Sequence, residues 1–154
     1  MEGVSPAAQE ARPRTPRSIL FMCRMNAVRS PMAEAIARSV LPAGTYVASA
    51  GVRPGERDPF VDAVLGEVGL SLGRHAPHSL DELEDDYFDL IVTLAPEAHH
   101  AALELTRSMA VDVMYWPTPD PTVATGTREQ ILSSYRDVRE FLKALIEKRL
   151  KGPG

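Results

Sequence analysis

The feature that most limits what this chain can fold into is an alternation of short apolar runs with amphipathic, helically spaced stretches. Ile19-Leu20-Phe21-Met22 reads as a buried strand. Met32, Ile36 and Val40 then share one helical face, with Ser30 as N-cap and Pro31 at the first helical position. Tyr46-Val47-Ala48 is a second strand, closed by Ser49-Ala50-Gly51. Asp58-Pro59 opens a helix in which Val61, Val64, Leu65 and Val68 align, and Gly69 stops it. Ser79-Leu80-Asp81-Glu82 has the form of a capping box and starts a short helix. Residues 88–94 make a third strand around Leu90-Ile91-Val92, residues 96–107 a helix, and residues 111–116 a fourth strand, more alternating and nearer an edge. Thr127-Arg128-Glu129-Gln130 is a second capping box, opening a long helix with Ile131, Tyr135, Val138, Leu142 and Leu145 inward.

Strands separated by helices pair in parallel through right-handed crossovers. The expected architecture is α/β: a four-stranded parallel sheet with helices on both faces. In such sheets ligands bind beyond the carboxyl ends of the strands.

The 154 residues suit one domain, expected over 18–149. Pro6, Pro13 and Pro16, with Arg12, Arg14 and Arg17 and no apolar periodicity, mark residues 1–17 as a disordered tail, and residues 150–154 as a frayed end. No apolar run is long enough for a membrane span, and the first seventeen residues contain no secretory h-region. The formal charge of −4, from 17 basic and 21 acidic residues, argues against nucleic acid as partner. The single cysteine, Cys23, precludes an internal disulfide, fits a reducing cytoplasm and leaves a lone thiol to be explained.

That thiol stands at the end of the first strand, in Cys23-Arg24-Met25-Asn26-Ala27-Val28-Arg29-Ser30. A short loop between a strand and a helix N-terminus can curl its N–H groups around an anion, and the helix dipole adds positive potential there. The backbone from Arg24 through Met25, Asn26, Ala27 and Val28 to Arg29 would therefore hold phosphate or another tetrahedral oxyanion, and the same field favours thiolate over thiol. Arg29 offers a planar fork for two oxygens, the Ser30 hydroxyl can donate to sulfur, and Asn26 tolerates a left-handed backbone. Read alone, Cys23 is a small buried hydrophobe, Arg29 a surface arginine and Ser30 a plain cap. Their arrangement in one turn points to a nucleophile instead.

This segment resembles the low-molecular-weight protein tyrosine phosphatase family and its thiol-linked arsenate reductase relatives. The likeness rests on Cys23-x5-Arg29-Ser30 followed by Pro31-Met32-Ala33-Glu34, then Ser49-Ala50-Gly51, Asp58-Pro59, Gly69-Leu70 with His75 after it, and Asp120-Pro121. It implies a flavodoxin-like fold, with the four parallel strands in the order 2-1-3-4. It implies that Cys23 is the nucleophile, Arg29 the phosphate clamp, and Ser30 an aid to the thiolate. It further implies that Asn26, Ser49 and His75 form a set that keeps the loop shaped.

A thiolate that displaces an ester oxygen from phosphorus needs an acid for the leaving group. Of the two Asp-Pro pairs, Asp58-Pro59 already caps a helix. Asp120-Pro121 has no such duty, because the last helix carries its own cap at Thr127. Asp120 follows strand four on the edge where Cys23 emerges, in a segment stiffened by Pro117, Pro119 and Pro121. The expected acid is Asp120, and the resemblance points to the same residue.

The chain departs from the family pattern at four places. Met25 replaces a usual glycine, and Val28 a frequent second cysteine, so no neighbouring thiol can protect Cys23 from oxidation. Thr122-Val123 follow the acid where aromatics are usual, and Val52-Arg53-Pro54 follow Gly51. Arg24 and Arg53, otherwise solvated arginines, would make the mouth electropositive. His99-His100 point apart on a helix, and His75 and His78 lack further ligands at useful spacing, so neither a metal nor another cofactor is expected. Glu82, Glu84, Asp85 and Asp86 read as a solvated acidic face.

Three functions remain open at this level. The first is a phosphatase acting on a phosphomonoester or phosphoprotein, as a monomer or weak homodimer. The second is an arsenate reductase, which with one cysteine would need an external small thiol. The third is a non-catalytic oxyanion- or phosphopeptide-binding module.

Overall fold

The computed structural model describes residues 16–83 and 87–151. Most of the expected tail, residues 152–154 of the expected frayed end, and Glu84, Asp85 and Asp86 of the acidic run lie outside the described residues.

Four strands form one all-parallel sheet: β1 (Ser18–Cys23), β2 (Tyr46–Gly51), β3 (Leu90–Thr93) and β4 (Asp112–Tyr115), in the order β2-β1-β3-β4. Four helices connect or follow them: α1 (Arg29–Val40), α2 (Pro59–Gly66), α3 (Pro96–Leu105) and α4 (Arg128–Arg149). The parallel pairing is that expected from the alternation of elements, and the 2-1-3-4 order is that of the flavodoxin-like fold implied by the resemblance.

The two-residue period of β1 sorts its side chains between two cores. Ile19, Phe21 and Cys23 pack with α1, α2 and α4, whereas Leu20 and Met22 join Phe88 and the α3 residues Ala98 and Ala102. Three helices thus cover one face and one helix the other. Cys23 points toward the face occupied by α1, which puts its sulfur beneath the turn that begins that helix.

The helix α1 differs from its expected form. Met32 and Ile36 are sealed, but so is the whole run from Ser30 to Ala37, while Val40 is half-exposed. A helix wedged between a sheet and another helix is buried around its circumference rather than along one stripe. Its cap also differs. The N-cap position is Val28, without a side-chain cap bond, and Ser30 lies inside the helix. Ser30 cannot cap because its hydroxyl is engaged with Cys23 and Asn26 instead. Pro31 costs no hydrogen bond there, since the first four N–H groups of a helix have no intrahelical partner.

The other corrections are smaller. Asp58 caps α2 through a 2.9 Å bond from Phe60 N–H, but Val68 lies beyond the helix and is exposed. The expected helix after Ser79 is one 3-10 turn, Leu80–Glu82, although Glu82 does bond back to Ser79 N–H at 2.7 Å. In α4 the capping box is present, with Gln130 N–H bonded to Thr127 Oγ1 at 3.1 Å and Thr127 N–H to Gln130 Oε1 at 2.7 Å. Its sealed stripe is Leu132, Tyr135, Val138, Leu142 and Ile146, so Ile131 and Leu145 pack at the core's margin. The stripe is shifted by one residue at each end relative to the expected one.

Candidate active site

β1 ends at Cys23 and α1 begins at Arg29, so the intervening residues must turn within one tight loop at the carboxyl edge. Asn26 makes that turn possible, adopting φ of +54°. The loop's carbonyls are spoken for by the chain leaving β2. Val52 N–H donates to Cys23 O at 3.1 Å, Arg53 N–H to Arg24 O at 3.1 Å and Gly55 N–H to Met25 O at 2.8 Å. Among the described residues, no acceptor takes the N–H groups of residues 24–29. Six donors around one concave turn make a nest for an anion. Gly51 permits this packing, because a Cβ there would stand 2.6 Å from both Asn26 N and Arg53 O.

The sulfur of Cys23, on a residue only 2% exposed, lies 2.9 Å from Ser30 Oγ, and Ser30 N–H points at it from 3.4 Å. Asn26 Nδ2 donates to Ser30 Oγ at 2.9 Å. The serine proton is then free for Cys23 Sγ or for the Ala50 carbonyl at 3.4 Å, and the sulfur is the nearer. A hydroxyl already accepting one bond is a better donor in its next. The chain Asn26–Ser30–Cys23 therefore directs positive hydrogen toward sulfur.

Behind the loop lies a second layer that the sequence expectations only partly foresaw. Asn26 Oδ1 accepts His78 N–H at 3.0 Å, fixing the amide's orientation. Ser49 does not reach Asn26 or Ser30. Its hydroxyl bonds Glu34 Oε1 at 2.5 Å, Arg38 closes on Glu34 Oε2 at 2.5 Å, and His75 Nδ1 stands 3.8 Å from Glu34 Oε1. Glu34 is thus the hub that joins Ser49 and His75. Burial pushes the His75 imidazole below its ordinary value, outweighing the raising pull of Glu34 and of the Asn26 backbone. The signal for Glu34 was present in the sequence: one carboxylate among Pro31, Met32, Ala33, Ala35 and Ile36, in a helix with no room for an unpaired charge.

The loop of Asp120, the expected acid, faces this nest from the end of β4. Trp116 N–H bonds Thr93 O at 2.8 Å and Thr118 N–H bonds Leu94 O at 3.1 Å, tying residues 116–118 to β3 and its extension. Arg29 Nη1 donates to Thr118 O at 3.1 Å, so the guanidinium expected to clamp phosphate also braces the acid loop. Asp120 does have a capping duty, contrary to expectation. Its Oδ1 accepts Thr122 N–H at 3.0 Å and Thr122 Oγ1–H at 2.7 Å, heading the 3-10 turn Pro121–Val123. Its second oxygen has no protein partner among the described residues. Burial raises the Asp120 carboxyl, but the two Thr122 bonds together with the charges of Arg29 and Arg24 win, and the net effect is a lowering.

Arg24 is half-exposed at the mouth, 3.9 Å from Glu97, and Arg53 is exposed. His99 stacks on Tyr115 with centroids 4.4 Å apart and meets Thr93 Oγ1 through Nδ1 at 3.0 Å. Among the described residues, no three His, Cys, Asp or Glu side chains converge as a metal-ligand set.

Comparisons with known proteins agree with this arrangement. A family model described as low molecular weight phosphotyrosine protein phosphatase matches residues 18–151. The chain is 29% identical over 133 residues to an arsenate reductase of Halalkalibacterium halodurans, covering 86% of this chain and 91% of that one. It superposes on the tyrosine phosphatase amsI of Erwinia amylovora with a TM-score of 0.70 and 25% identity, over 86% of this chain and 90% of the other. It superposes on an arsenate reductase of Archaeoglobus fulgidus with a TM-score of 0.57 and 30% identity, over 83% and 98% of the two chains. A match that starts with β1 and runs past the end of α4 embraces the fold and the cysteine loop together, and the chain belongs to the low molecular weight phosphotyrosine protein phosphatase family.

Proposed function

We propose that the protein is a cysteine-dependent phosphomonoesterase working through a phosphocysteine. The observation that carries this reading is the meeting of a donor-backed sulfur, six free N–H groups and a carboxylate oxygen with no protein partner at one sheet edge. Phosphate enters the nest formed by residues 24–29, and the Arg29 fork, now bonded to Thr118 O, is within reach of the acid loop and the nest together. The Cys23 thiolate attacks phosphorus in line with the ester oxygen. The P–O bond to the leaving group breaks while Asp120 passes it a proton. Asp120, now a carboxylate, takes a proton from water as that water attacks phosphorus. The S–P bond breaks, inorganic phosphate leaves, and the Cys23 thiolate is restored with its Ser30 bond. The N–H groups and Arg29 stabilise the equatorial oxygens throughout. The substrate is a phosphomonoester or phosphoprotein, and we place the protein in the cytoplasm, where a lone thiol stays reduced. No helix among the described residues is long and apolar enough to cross a membrane.

A second reading has its own support in the relatives named arsenate reductase. The same nest would take arsenate, and Cys23 would form an arseno-cysteine adduct. With no second cysteine in the chain, the two electrons would come from external low-molecular-weight thiols. The first would release arsenite and leave a mixed disulfide with Cys23, and the second would reduce that disulfide.

One matched assay separates the readings. Wild type and Cys23→Ser are compared on an aryl phosphate without added thiol, and on arsenate with a small thiol. Turnover of the ester, abolished in the variant, is the expected result. Activity confined to arsenate plus thiol would transfer the function to the second reading, and phosphate binding without either activity would reduce the protein to a binding module.

A further inference from the structure

The acid loop has a second side. Between it and α4 runs a groove of about 410 Å3. Asp120 stands in one wall, so the groove adjoins the residue proposed as the acid. Its surface is largely apolar: Val123, Ala124, Val138 and Phe141 line it, with Val123 76% and Phe141 39% exposed. Exposed side chains of this size beside a polar centre are the usual surroundings of a bound ligand.

The opposite wall carries Asp137 of α4, exposed and without a protein partner among the described residues. Two arginines flank it in the sequence, yet both are engaged elsewhere. Arg136 is bonded to Glu67 and Glu129, and Arg139 to Glu67, Glu140 and the Val64 carbonyl. The groove therefore has an apolar floor between two carboxylates, Asp120 and Asp137, while the mouth on the other side of the nest presents Arg24 and Arg53.

We infer that this groove recognises the flank of a protein substrate, taking an apolar side chain of the stretch beside the phosphorylated residue together with a basic one that faces Asp137. The inference rests on the phosphatase reading. The groove adjoins Asp120, whose loop is tied to the phosphate nest through the Arg29–Thr118 bond. Its charge complements a lysine or arginine and opposes a glutamate or aspartate. A small aryl phosphate fills the nest without reaching α4, so the groove selects among polypeptides and leaves the chemistry unaltered.

The test uses the full chain and three substrates: an aryl phosphate, a phosphotyrosine peptide with a Leu and Lys flank, and a peptide of equal length with an Asp and Glu flank. Wild type should favour the Leu/Lys peptide in kcat/KM by ~3- to 10-fold, the size of one exposed charge pair plus partial apolar burial, with the charge part shrinking at high salt. Asp137→Lys should reverse the charge preference, and Phe141→Ala should raise KM for the Leu/Lys peptide. Both variants should keep wild-type kcat/KM on the aryl phosphate, which also reports that they are folded. Equal treatment of the two peptides by wild type, or losses in the variants that extend equally to the aryl phosphate, would remove the groove's role and leave the phosphatase reading in place. No turnover of the aryl phosphate by wild type would remove that reading and the groove's role with it.

Discussion

The two Asp-Pro turns of this protein begin alike and end differently. Each aspartate accepts a bond from the N–H two residues ahead, Phe60 at 2.9 Å and Thr122 at 3.0 Å. Each proline opens the helical turn that follows. At Asp58 the other oxygen is consumed by Tyr135 O–H at 2.7 Å, inside an aromatic corner where Phe60 and Tyr135 lie 5.3 Å apart. At Asp120 the extra bond, from Thr122 Oγ1, falls on the same oxygen as the cap, and the second oxygen has no protein partner among the described residues. The same dipeptide is thus a fastener in one place and a candidate proton carrier in the other. The deciding factor is which neighbour claims the second oxygen.

The most decisive way to break this contrast is to neutralise each aspartate in turn. Asp120→Asn should slow turnover of an ester with a poor leaving group by ~10²–10⁴-fold, the usual worth of a placed acid. Asp58→Asn should leave that rate within a small factor of wild type, measured under the same conditions. Similar losses from both substitutions would erase the distinction between the turns.

Stability should show the reverse order. Asp58→Ala loses a helix cap and strands a buried tyrosine hydroxyl, for a combined cost of ~2–3 kcal/mol in urea unfolding. Asp120→Ala loses only the head of a single exposed turn and should cost under ~1 kcal/mol. Tyr135→Phe isolates the last link of the Asp58 corner. Loss of that one bond should cost ~1 kcal/mol, with kcat unchanged.

A pH profile sharpens the Asp120 side. The free carboxyl is held below its ordinary value, so the protonated acid is depleted as pH rises through that lowered value. Its contribution to kcat/KM on a poor leaving group should therefore fall on the basic side, while an easily expelled aryl leaving group should be less affected. Thr122→Val removes one of the bonds that favour the ionised form. It should raise the Asp120 pKa and carry the descending limb to higher pH, and an unmoved limb would assign that titration to another group.

The smallest effect is expected at the far end of α2. Glu67 is held at about 2 by its bonds from Arg136 and then Arg139. A carboxyl with a lowered folded pKa stabilises fully above its unfolded value and loses that contribution as pH falls through the folded one. Between the ordinary glutamate value and about 2, wild type should thus lose slightly more stability than Glu67→Gln. The carboxylate is exposed, so solvent screens the pair and the difference in acid unfolding midpoints should be small.

Much of this molecule is legible from local pattern. The alternation of runs gave four strands and their parallel pairing, since strands separated by helices are joined by right-handed crossovers. Cys23, Arg29 and Ser30 are legible as one group because a single turn brings them together. Legibility fails where partners are distant along the chain. Ser30 looked like a cap because a Ser-Pro pair at a helix start caps by default, but Cys23 and Asn26 claim its hydroxyl. Ser49 and His75 were expected to join Asn26 in one supporting set; Ser49 bonds Glu34 instead, 15 residues away in the chain, while His75 faces Glu34 and also the Asn26 backbone.

The sequence by itself determined the elements, their order, and the turn that gathers a thiol, an arginine and a row of peptide N–H groups, because hydrophobic periodicity and backbone geometry act over a few residues. Only the tertiary structure decided which aspartate keeps a free oxygen, which carboxylate anchors the supporting layer, and that a groove continues from the acid to α4. Those outcomes depend on which side chains compete for the same hydrogen bond, and the competitors meet only after the helices have packed onto the sheet.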